Sequence, residues 1–529
     1  MNEREMAAVR QAPLLTASSK PLPERLRRKL LVRLVPFVAL GYALCFIDRS
    51  NISFAELSMR NDTELHLSDA DFGLSSGLFF VGYALAQVPA LHIAQLVGAR
   101  YVFTVLLLLW GGVSTSLCLI SSTTQLCVLR FLLGLVEAGY YPLMVYYLST
   151  WFPDEWLGAA TGFTTMTGIS FGLTTGTLTS GALLSWHHLD GLLGWRSWRW
   201  LFLLQGLPTV AAGVLVFLFQ PDSPHTASFL TEEERHLLLA RLPCAATPHT
   251  TRSSVTVAAA AAADTALTNS DLHLQVAATT TAAAPAGSCE MAPPLPLLTA
   301  VSRTARHAST WVFCAQHFGG CSLIYLAVFF LPLLLSELNP LWPPWLVACV
   351  VAAPLLLSVV TAVTGGAVTD APGLSPSTRR RRRVTLLVAA TLTSSALLTT
   401  SGAILYTDHA SSSPRRGYAV AALLCFLVTH PVASSSSGSF WAIANDMLPP
   451  ELSAISIALI NAVGNLGGFV GPYMVGRLKS PAHSKHVASW APGILSVSIM
   501  VAPIMLCTSA YFCTRPVNKR RGASTSMAD

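Results

Sequence analysis

Long apolar runs recur along this chain and constrain its fold more than any other feature. The first extends from Leu30 to about Leu57, and eleven others follow it. A helix of about 20 apolar residues crosses the hydrocarbon core of a bilayer. Because lipid offers the backbone no hydrogen bonds, spanning segments form helices or closed barrels. Runs of this length predict an all-α membrane protein with twelve transmembrane helices.

The composition agrees with this prediction. Of 529 residues, 52% are hydrophobic and 11% are charged, whereas soluble domains carry about 25% charged residues. The net charge of +7 comes from short basic clusters between the runs. Such clusters are typical of topology signals and give no reason to expect nucleic-acid binding. The 11 cysteines include no CxxC pair, so we expect neither a metal site nor a disulfide framework.

Basic clusters and a central break divide the chain into parts. Residues 1–29 form a polar tail whose basic end predicts a cytoplasmic N-terminus. Residues 30–219 and 309–513 each contain six runs, and residues 514–529 form a basic tail. Residues 220–308 form a central loop that is largely Ala/Thr-rich. We therefore predict two six-helix bundles, a largely disordered cytoplasmic loop between them, and both termini in the cytoplasm.

Two local patterns predict finer features. Gly168, Gly172 and Gly176 recur every fourth residue in the fifth run, a spacing that lets two helix backbones approach closely. In the central loop, Thr231 precedes three glutamates, and Glu234 stands three residues after it. That arrangement predicts a capping box at the start of a helix.

Two pairs of charged residues lie inside the apolar runs. Asp48 and Arg49 are adjacent in the first run, where each charge near the bilayer centre costs roughly 2.5–3.5 kcal/mol. Arg130 and Glu137 lie two helical turns apart in the fourth run, on one face of the helix. A structural ion pair that locks two helices is one interpretation. A site for substrate or protons is the other, because an anion that binds the arginine changes the balance that keeps a carboxylate ionised.

Six motifs, in order along the chain, resemble the anion:cation symporter family of the major facilitator superfamily. They are residues 46–52, 130–142, 151–153, 206–208, 229–235 and 458–472. The resemblance covers roughly residues 30–235 and 310–512 and is nearest to permeases for tartrate, phthalate, hydroxyphenylacetate and related carboxylates. It implies two six-helix bundles that rock around a central site.

The resemblance also implies roles for matching residues. Arg49 would meet a substrate carboxylate, and the second half would supply hydrogen bonds. The expected substrate-binding residues are Arg49, Tyr325, Asn461 and Asn465. The expected proton-coupling residues are Asp48, Glu137 and Arg130, with Arg130 as the partner of Glu137. The expected gating residues between the eighth and ninth runs are Gly366, Asp370, Arg379 and Arg380.

Two positions depart from the family pattern. Gln95 stands where an acidic residue often precedes the loop after the second run, which weakens a matching gate in the first half. Gln205 replaces a glutamate that is usual before Gly-Leu-Pro, which removes one candidate proton site.

These observations together predict a secondary active transporter that carries a small organic anion with protons by alternating access. We expect a monomer in the plasma membrane, in contact with lipid and without a cofactor or metal. An anion exchanger or uniporter without proton coupling is one alternative. A membrane sensor that signals through residues 244–296 is another. The sequence has no P-loop, metal cluster or GxSxG motif, so we do not expect an enzyme.

Overall fold

The computed structural model describes residues 23–60, 62, 65, 67–242, 297–371, 374–409, 416–448, 452–479 and 487–514. The predicted N-terminal tail, the low-complexity part of the central loop and the C-terminal tail lie mostly outside these residues. All regular secondary structure in the described ranges is helical.

Twelve long helices account for the twelve apolar runs. They are α1 Glu24–Met59, α2 Asp69–Val97, α3 Ala99–Ser116, α4 Thr123–Trp151, α5 Asp154–Ser185, α6 Ser197–Phe219, α7 Ala308–Leu338, α8 Pro344–Thr369, α9 Pro376–His409, α10 Arg416–Met447, α11 Ser453–Asn465 with Gly467–Arg477, and α12 Ala491–Thr514. Helix α1, for example, begins six residues before its apolar run at Leu30 and ends two residues after Leu57, because helical hydrogen bonds continue past the hydrocarbon-facing segment. The predicted all-α fold is confirmed.

Helix α5 differs from the other eleven long helices because it lacks a sufficiently apolar stretch. Among the described residues, eleven helices are long and apolar enough to cross a membrane, and α5 is the long helix outside that set. It has 32 residues and is rich in threonine and glycine. Several of its threonines, such as Thr164 and Thr177, are buried within the protein. Thr164 Oγ1, for example, donates to the carbonyl of Ala160 at 2.7 Å, so its polarity is satisfied inside the helix.

The glycine repeat of α5 packs against α1. An added Cβ at Gly168 would press on the ring of Tyr42, and at Gly172 it would press on the backbone of Ala43. At Gly176 it would lie 2.9 Å from the Cα of Ile47. The predicted close approach of two helix backbones is therefore confirmed, and it brings α5 beside the segment of α1 that carries Asp48.

Among the described residues, the two bundles contact each other most extensively through three helix pairs: α1 with α7, α2 with α11, and α5 with α8. Glycines again permit the close approach. Gly73 on α2 faces Pro472 and Gly476 on α11, and an added Cβ at Gly181 on α5 would meet Ala348 on α8. We call the end where α1 begins and α12 ends the terminal end. The opposite end, where α1 and α7 both end, is the far end.

The predicted capping box at Thr231 is present. Thr231 Oγ1 accepts a hydrogen bond from the backbone of Glu234 at 3.3 Å, and the Glu234 carboxylate accepts one from the Thr231 backbone at 3.1 Å. The helix that it begins is Glu232–Leu239. Lys29 Nζ contacts Glu234 Oε2 at 2.5 Å and lowers the pKa of that carboxyl. The central loop is thus attached to α1 at the terminal end.

Gly134 and Gly112 offer a matched test of helix packing. An added Cβ at Gly134 on α4 would lie 3.1 Å from Phe79 Cα on α2 and closer still to its carbonyl, whereas one at Gly112 on α3 meets nothing within 4 Å. We expect Gly134→Ala to lower the melting temperature in detergent. Gly112→Ala should leave it unchanged or raise it, since alanine favours a helix over glycine by about 1 kcal/mol. Equal melting temperatures for the two variants would contradict this packing.

Candidate functional site

Arg49 lies at the centre of the molecule and joins the two bundles. Its Nε and Nη2 contact Glu137 Oε1 on α4 at 2.7 and 2.5 Å, and its Nη1 donates to the Tyr325 hydroxyl on α7 at 2.7 Å. The side chains of Arg49 and Glu137 are 4% and 0% exposed. An arginine fork suits such a buried pair, because a guanidinium is planar and weakly hydrated.

Aromatic rings surround the Arg49 guanidinium. Its Cζ lies 4.9 Å from the ring centre of Phe46, 5.2 Å from that of Phe79 and 4.8 Å from that of Tyr83. Ring faces attract cations, and more strongly when water is excluded. These contacts stabilise the arginine in a position where bulk water does not hydrate it.

Asp48 is held inside the first bundle. Its Oδ2 accepts a hydrogen bond from Trp110 Nε1 at 2.6 Å, and its Oδ1 accepts one from Ser114 Oγ at 2.7 Å. Asn51 Nδ2 adds a longer contact at 3.3 Å. Trp110 and Ser114 lie one helical turn apart on α3, so one face of that helix supplies two hydrogen-bond donors to the carboxylate. Asp48 and Arg49 therefore point to different partners although they are adjacent in the chain.

Arg130 is fully buried, and all three of its guanidinium nitrogens lack a hydrogen-bond partner among the described residues. Its Cζ lies 5.1 Å from the ring centre of Phe79, which also contacts Arg49. A buried charge without hydrogen bonds is costly unless opposite charges are near. Asp48, Glu137, Arg49 and Arg130 form a set of two negative and two positive groups within the first bundle.

The pairing within this set differs from the sequence expectation. The family resemblance implies that Arg130 is the partner of Glu137, and the two lie on one face of α4. The Glu137 carboxylate instead binds Arg49, and its Oε2 has no hydrogen-bond partner among the described residues. Side chains two turns apart on a helix share a face but stand about 10 Å apart along its axis. A neighbouring helix can therefore supply the closer cation.

The second bundle contributes a separate polar cluster. Asn461 Oδ1 lies 3.2 Å from His317 Nε2 and accepts a hydrogen bond from Asn465 Nδ2 at 3.0 Å. The two predicted asparagines thus bind each other and a histidine of α7. Gly464 permits this contact, because a Cβ at that position would press on the His317 ring. His317, Cys321 and Tyr325 lie one turn apart on α7, and Cys321 Sγ is 3.6 Å from His317 Nε2.

Aromatic side chains cover the His317 cluster and reach the first bundle. The His317 ring stacks on Phe440 with 5.5 Å between ring centres and meets Trp441 edge-on at 5.3 Å. The ring centre of Trp441 in turn lies 6.4 Å from the ring centre of Tyr141 on α4. The polar groups of the two bundles therefore face one central region, of which Arg49 with Tyr325 and His317 with Asn461 are two parts.

Sequence reasoning missed several of these residues. They are Tyr83, Trp110, Ser114, His317 and Trp441. A tryptophan and a serine one turn apart on the same face of α3 were a detectable sign. For Tyr83, nothing in the sequence distinguished the side of α2 that faces the site.

The expected gating residues lie together at the terminal end. Asp370 follows α8 and accepts a hydrogen bond from Arg383 Nε at 2.8 Å, and Arg383 Nη1 also contacts Asp446 on α10 at 3.4 Å. The ion pair of Asp370 is thus made by Arg383, one turn beyond Arg379. This difference arises because α9 begins at Pro376, so the five consecutive arginines Arg379–Arg383 lie in the first turns of a helix.

The close helix contact beside the expected gating residues is made by Gly365 and not by Gly366. An added Cβ at Gly366 would meet nothing within 4 Å, whereas one at Gly365 would press on the carbonyl of Ser435 on α10. Gly366 contributes its carbonyl, which accepts the backbone hydrogen bond of Asp370 at 2.9 Å.

A cavity of about 490 Å³ lies between α1, α5 and α6, beside the charged set. Its lining is mainly apolar and includes Leu44, Ile47 and Leu183. Gln205 also lines it and donates to Thr179 Oγ1 at 2.9 Å and Ser180 Oγ at 3.0 Å. Gln205 thus connects α6 to α5. Within the described ranges, no group of His, Cys, Asp and Glu is suited to hold a metal ion.

Comparisons with known proteins identify the family. A sequence model of the Major Facilitator Superfamily matches residues 38–472. A protein from Agrobacterium vitis that is named as a tartrate transporter is 29% identical over 489 residues, which are 92% of this chain and 93% of the relative. The inner membrane transport protein RhmT of Escherichia coli K12 is 38% identical over 224 residues, 42% of this chain and 51% of the relative.

Solved structures share the fold. A bacterial homologue of the human lysosomal transporter Spinster, inward-facing and occupied, matches with a TM-score of 0.60 at 14% identity, covering 94% of this chain and 97% of that one. The inward-open xylose transporter XylE of E. coli matches with a TM-score of 0.57 at 14% identity, covering 92% and 97%. This chain belongs to the Major Facilitator Superfamily and is a multi-pass membrane transporter, not an enzyme.

Proposed function

We propose that this transporter carries a small organic anion together with protons, by alternating access between its two bundles. The observation that carries the proposal is the buried Arg49–Glu137 ion pair, which reaches the second bundle through Tyr325. The relative named as a tartrate transporter supports a carboxylate as the substrate. Substrate carboxylate and Glu137 would compete for one guanidinium.

The geometry of the ion pair suits such an exchange. The Nε and Nη2 nitrogens of Arg49 both contact the same oxygen of Glu137, Oε1. A guanidinium can bind two carboxylate oxygens side by side, which adds energy and fixes orientation. A substrate carboxylate that binds in this two-oxygen mode therefore has an advantage over the Glu137 carboxylate. The displaced Glu137 stays in the field of Arg130, which has no hydrogen-bond partner among the described residues.

Charge balance supports proton coupling. The central set holds two carboxylates and two arginines, all buried. A substrate with one carboxylate adds one negative charge to this low-dielectric region, where an unbalanced charge is costly. One proton on Glu137 or Asp48 restores the balance, and a dicarboxylate such as tartrate would need two protons. Anion and protons would therefore enter without net charge, and an inward proton gradient would drive accumulation.

The second bundle supplies the coupling to movement. Tyr325 contacts Arg49 directly, and the His317–Asn461–Asn465 cluster lies along the same helix and its neighbour. A substrate that binds Arg49 and any of these groups contacts both bundles at once. If the substrate binds one arrangement of the two bundles more tightly than the other, it shifts the equilibrium between the two arrangements. We include Tyr325, Asn461 and Asn465 in the proposed substrate site for this reason.

We also propose an orientation in the membrane. The basic start of α1 and the five arginines at the start of α9 both lie at the terminal end. Excess lysine and arginine marks the cytoplasmic side. Both termini would then be cytoplasmic, the far end would face outside, and the protein would act as a monomer in the plasma membrane. The Asp370–Arg383–Asp446 ion pairs, together with Gly366, Arg379 and Arg380, would form part of the cytoplasmic gate.

Two other functions would use the same residues. An exchanger or uniporter would bind the anion at Arg49 without moving protons. A sensor would bind it without accumulating it. The next predictions distinguish them in proteoliposomes, by uptake of a radiolabelled carboxylate panel that includes tartrate.

Arg49→Lys should lower uptake by about 10- to 100-fold, because a lysine cannot reproduce the planar fork and a charge-assisted hydrogen bond is worth roughly 1.5–3 kcal/mol. Arg33→Lys is the matched control, since Arg33 is exposed on the same helix. Surface labelling shows whether each variant reaches the membrane. Normal transport by Arg49→Lys would remove Arg49 from the substrate site.

Glu137→Gln should abolish accumulation driven by a pH gradient while retaining exchange of labelled for unlabelled substrate. The amide oxygen can still accept from Arg49, but the side chain no longer carries a proton. Asp48→Asn tests the second carboxylate, and Glu233→Gln, exposed in the central loop, is the control. If Glu137→Gln and Asp48→Asn both concentrate substrate like the parent, the exchanger or uniporter takes the place of the symporter.

A cysteine at Ser377 should be unreactive towards a membrane-impermeant maleimide added outside intact cells, since Ser377 is exposed at the terminal end. A cysteine at Leu341, 90% exposed in the turn at the far end, should react. The parent protein gives the background from native cysteines. The reverse labelling pattern would invert the proposed orientation.

A further inference from the structure

A second charge cluster, partly buried, joins the two bundles at the far end, well away from Arg49. Arg60, which follows α1, contacts Glu56 one turn earlier, Asp69 at the start of α2, and Glu337 near the end of α7. The last of these contacts, Nη1 to Oε1, measures 3.2 Å and joins the two bundles. Arg60 therefore binds carboxylates from three helices.

Lys479 mirrors this arrangement from the second bundle. It follows α11, and its Nζ lies 3.1 Å from Glu337 Oε1 and 3.1 Å from Asp69 Oδ2 on the first bundle. Trp490, at the start of α12, donates from Nε1 to Glu337 Oε2 at 2.6 Å. Its ring centre lies 4.0 Å from Lys479 Nζ and 5.7 Å from Arg60 Cζ. The far-end cluster is thus Glu56, Arg60, Asp69, Glu337, Lys479 and Trp490.

Separation of the bundles at the far end would break part of this cluster. Arg60 with Glu56 and Asp69 would stay in the first bundle, and Glu337 with Lys479 and Trp490 would stay in the second. The Arg60–Glu337 and Lys479–Asp69 ion pairs would be lost. The cluster is therefore formed only when the far end is closed.

The charges of the cluster do not balance. It contains three carboxylates and two cations among the described residues. Asp69 and Glu337 each contact both cations. Glu56 contacts Arg60 alone, its side chain is 0% exposed, and its Oε2 has no hydrogen-bond partner in the described ranges. Asp62, the nearest further acid along the chain, accepts from Trp198 on α6 at 2.9 Å. A buried, half-bonded carboxylate in a cluster with excess negative charge is costly to keep ionised.

We infer that Glu56 is a second proton-binding site and that its proton holds the far end closed. One proton brings the cluster to two negative and two positive charges. Glu56 takes it because the other two carboxylates each bind two cations. Glu56 lies eight residues after Asp48, about 12 Å along α1, so this proton is distinct from one bound at Asp48 or Glu137.

The sign of the pH dependence follows. The closed far end binds one proton more than the open one, so lower pH favours closure. At higher pH the cluster carries a net negative charge, and the three carboxylates repel one another until the bundles part and water enters. The proton at Glu56 therefore regulates access from the far end, whichever solute the central site binds.

Distance measurements without substrate test this inference independently of the transport proposal. We would place spin labels on keto-amino acids at Ser121 and Leu341, both exposed at the far end, one on each bundle. Keto labels avoid reaction with the native cysteines. Between pH 8 and pH 5.5 in nanodiscs, the ratio of short to long distances should rise, by up to about tenfold per pH unit for one linked proton.

Variants identify the group responsible. Glu56→Gln should keep the short distance at both pH values. Glu337→Gln also brings the cluster to equal numbers of positive and negative charges, so it should lose the pH response. Fewer molecules should be closed, because this variant lacks the Arg60–Glu337 ion pair between the bundles and keeps only Lys479–Asp69. Asp71→Asn is the control, since Asp71 lies two residues after Asp69 and caps α2 through Ser68 outside the cluster. It should respond like the parent.

Several outcomes would overturn the inference. These are a parental pH response in Glu56→Gln, loss of the response in Asp71→Asn, and distances in the parent that do not change with pH. In a further experiment, sodium is replaced by choline at fixed pH. If this replacement changes the distance ratio of the parent protein as a pH change does, the ligand of the cluster is a metal cation and not a proton. A failure of any arm leaves the transport proposal untouched, because no substrate is present.

Discussion

The buried ion pair between Arg49 and Glu137 is the interaction on which the centre of this transporter depends. Both side chains are almost completely removed from solvent, and the cost of dehydrating them is met by each other, by three aromatic rings and by the Tyr325 hydroxyl. Loss of one partner would leave a buried charge, which is strongly destabilising. The arrangement is therefore stable only while an anionic group contacts the Arg49 guanidinium. A substrate carboxylate also satisfies this condition.

Helix α1 carries both charge clusters of the bundle interface. Asp48 and Arg49 lie at its middle, and Glu56 with Arg60 lies at its far end. Its neighbours in the first bundle supply the groups that solvate them: Trp110 and Ser114 for Asp48, and Asp69 for Arg60. A single rigid helix thus connects the proposed substrate site with the proposed far-end proton site. Tilting α1 against α7 would change both sites in one movement.

Glycine determines where the helices come close enough for these contacts. Gly172 and Gly176 seat α1 against α5 beside Asp48, and Gly464 admits the His317 ring next to Asn461. On the interface between the bundles, Gly73 on α2 meets Gly476 on α11 near the far-end cluster. Small residues at a helix interface allow backbone contact in lipid, where the hydrophobic effect does not hold helices together. Their positions fix the distances over which the charged side chains must reach.

Local patterns in the chain were enough to predict which segments are helices and which charges lie inside them. A helix satisfies its own backbone within four residues and needs only enough apolar length, so the twelve runs and the Thr231 capping box could be predicted locally. The pairing of the charges could not. Arg49 meets Glu137 across 88 residues and Tyr325 across 276, and the partner of Asp370 is Arg383. These contacts depend on the rotation and crossing of separate helices, which no local pattern encodes. The charged pairs could therefore be identified only from the way the helices pack in the folded protein.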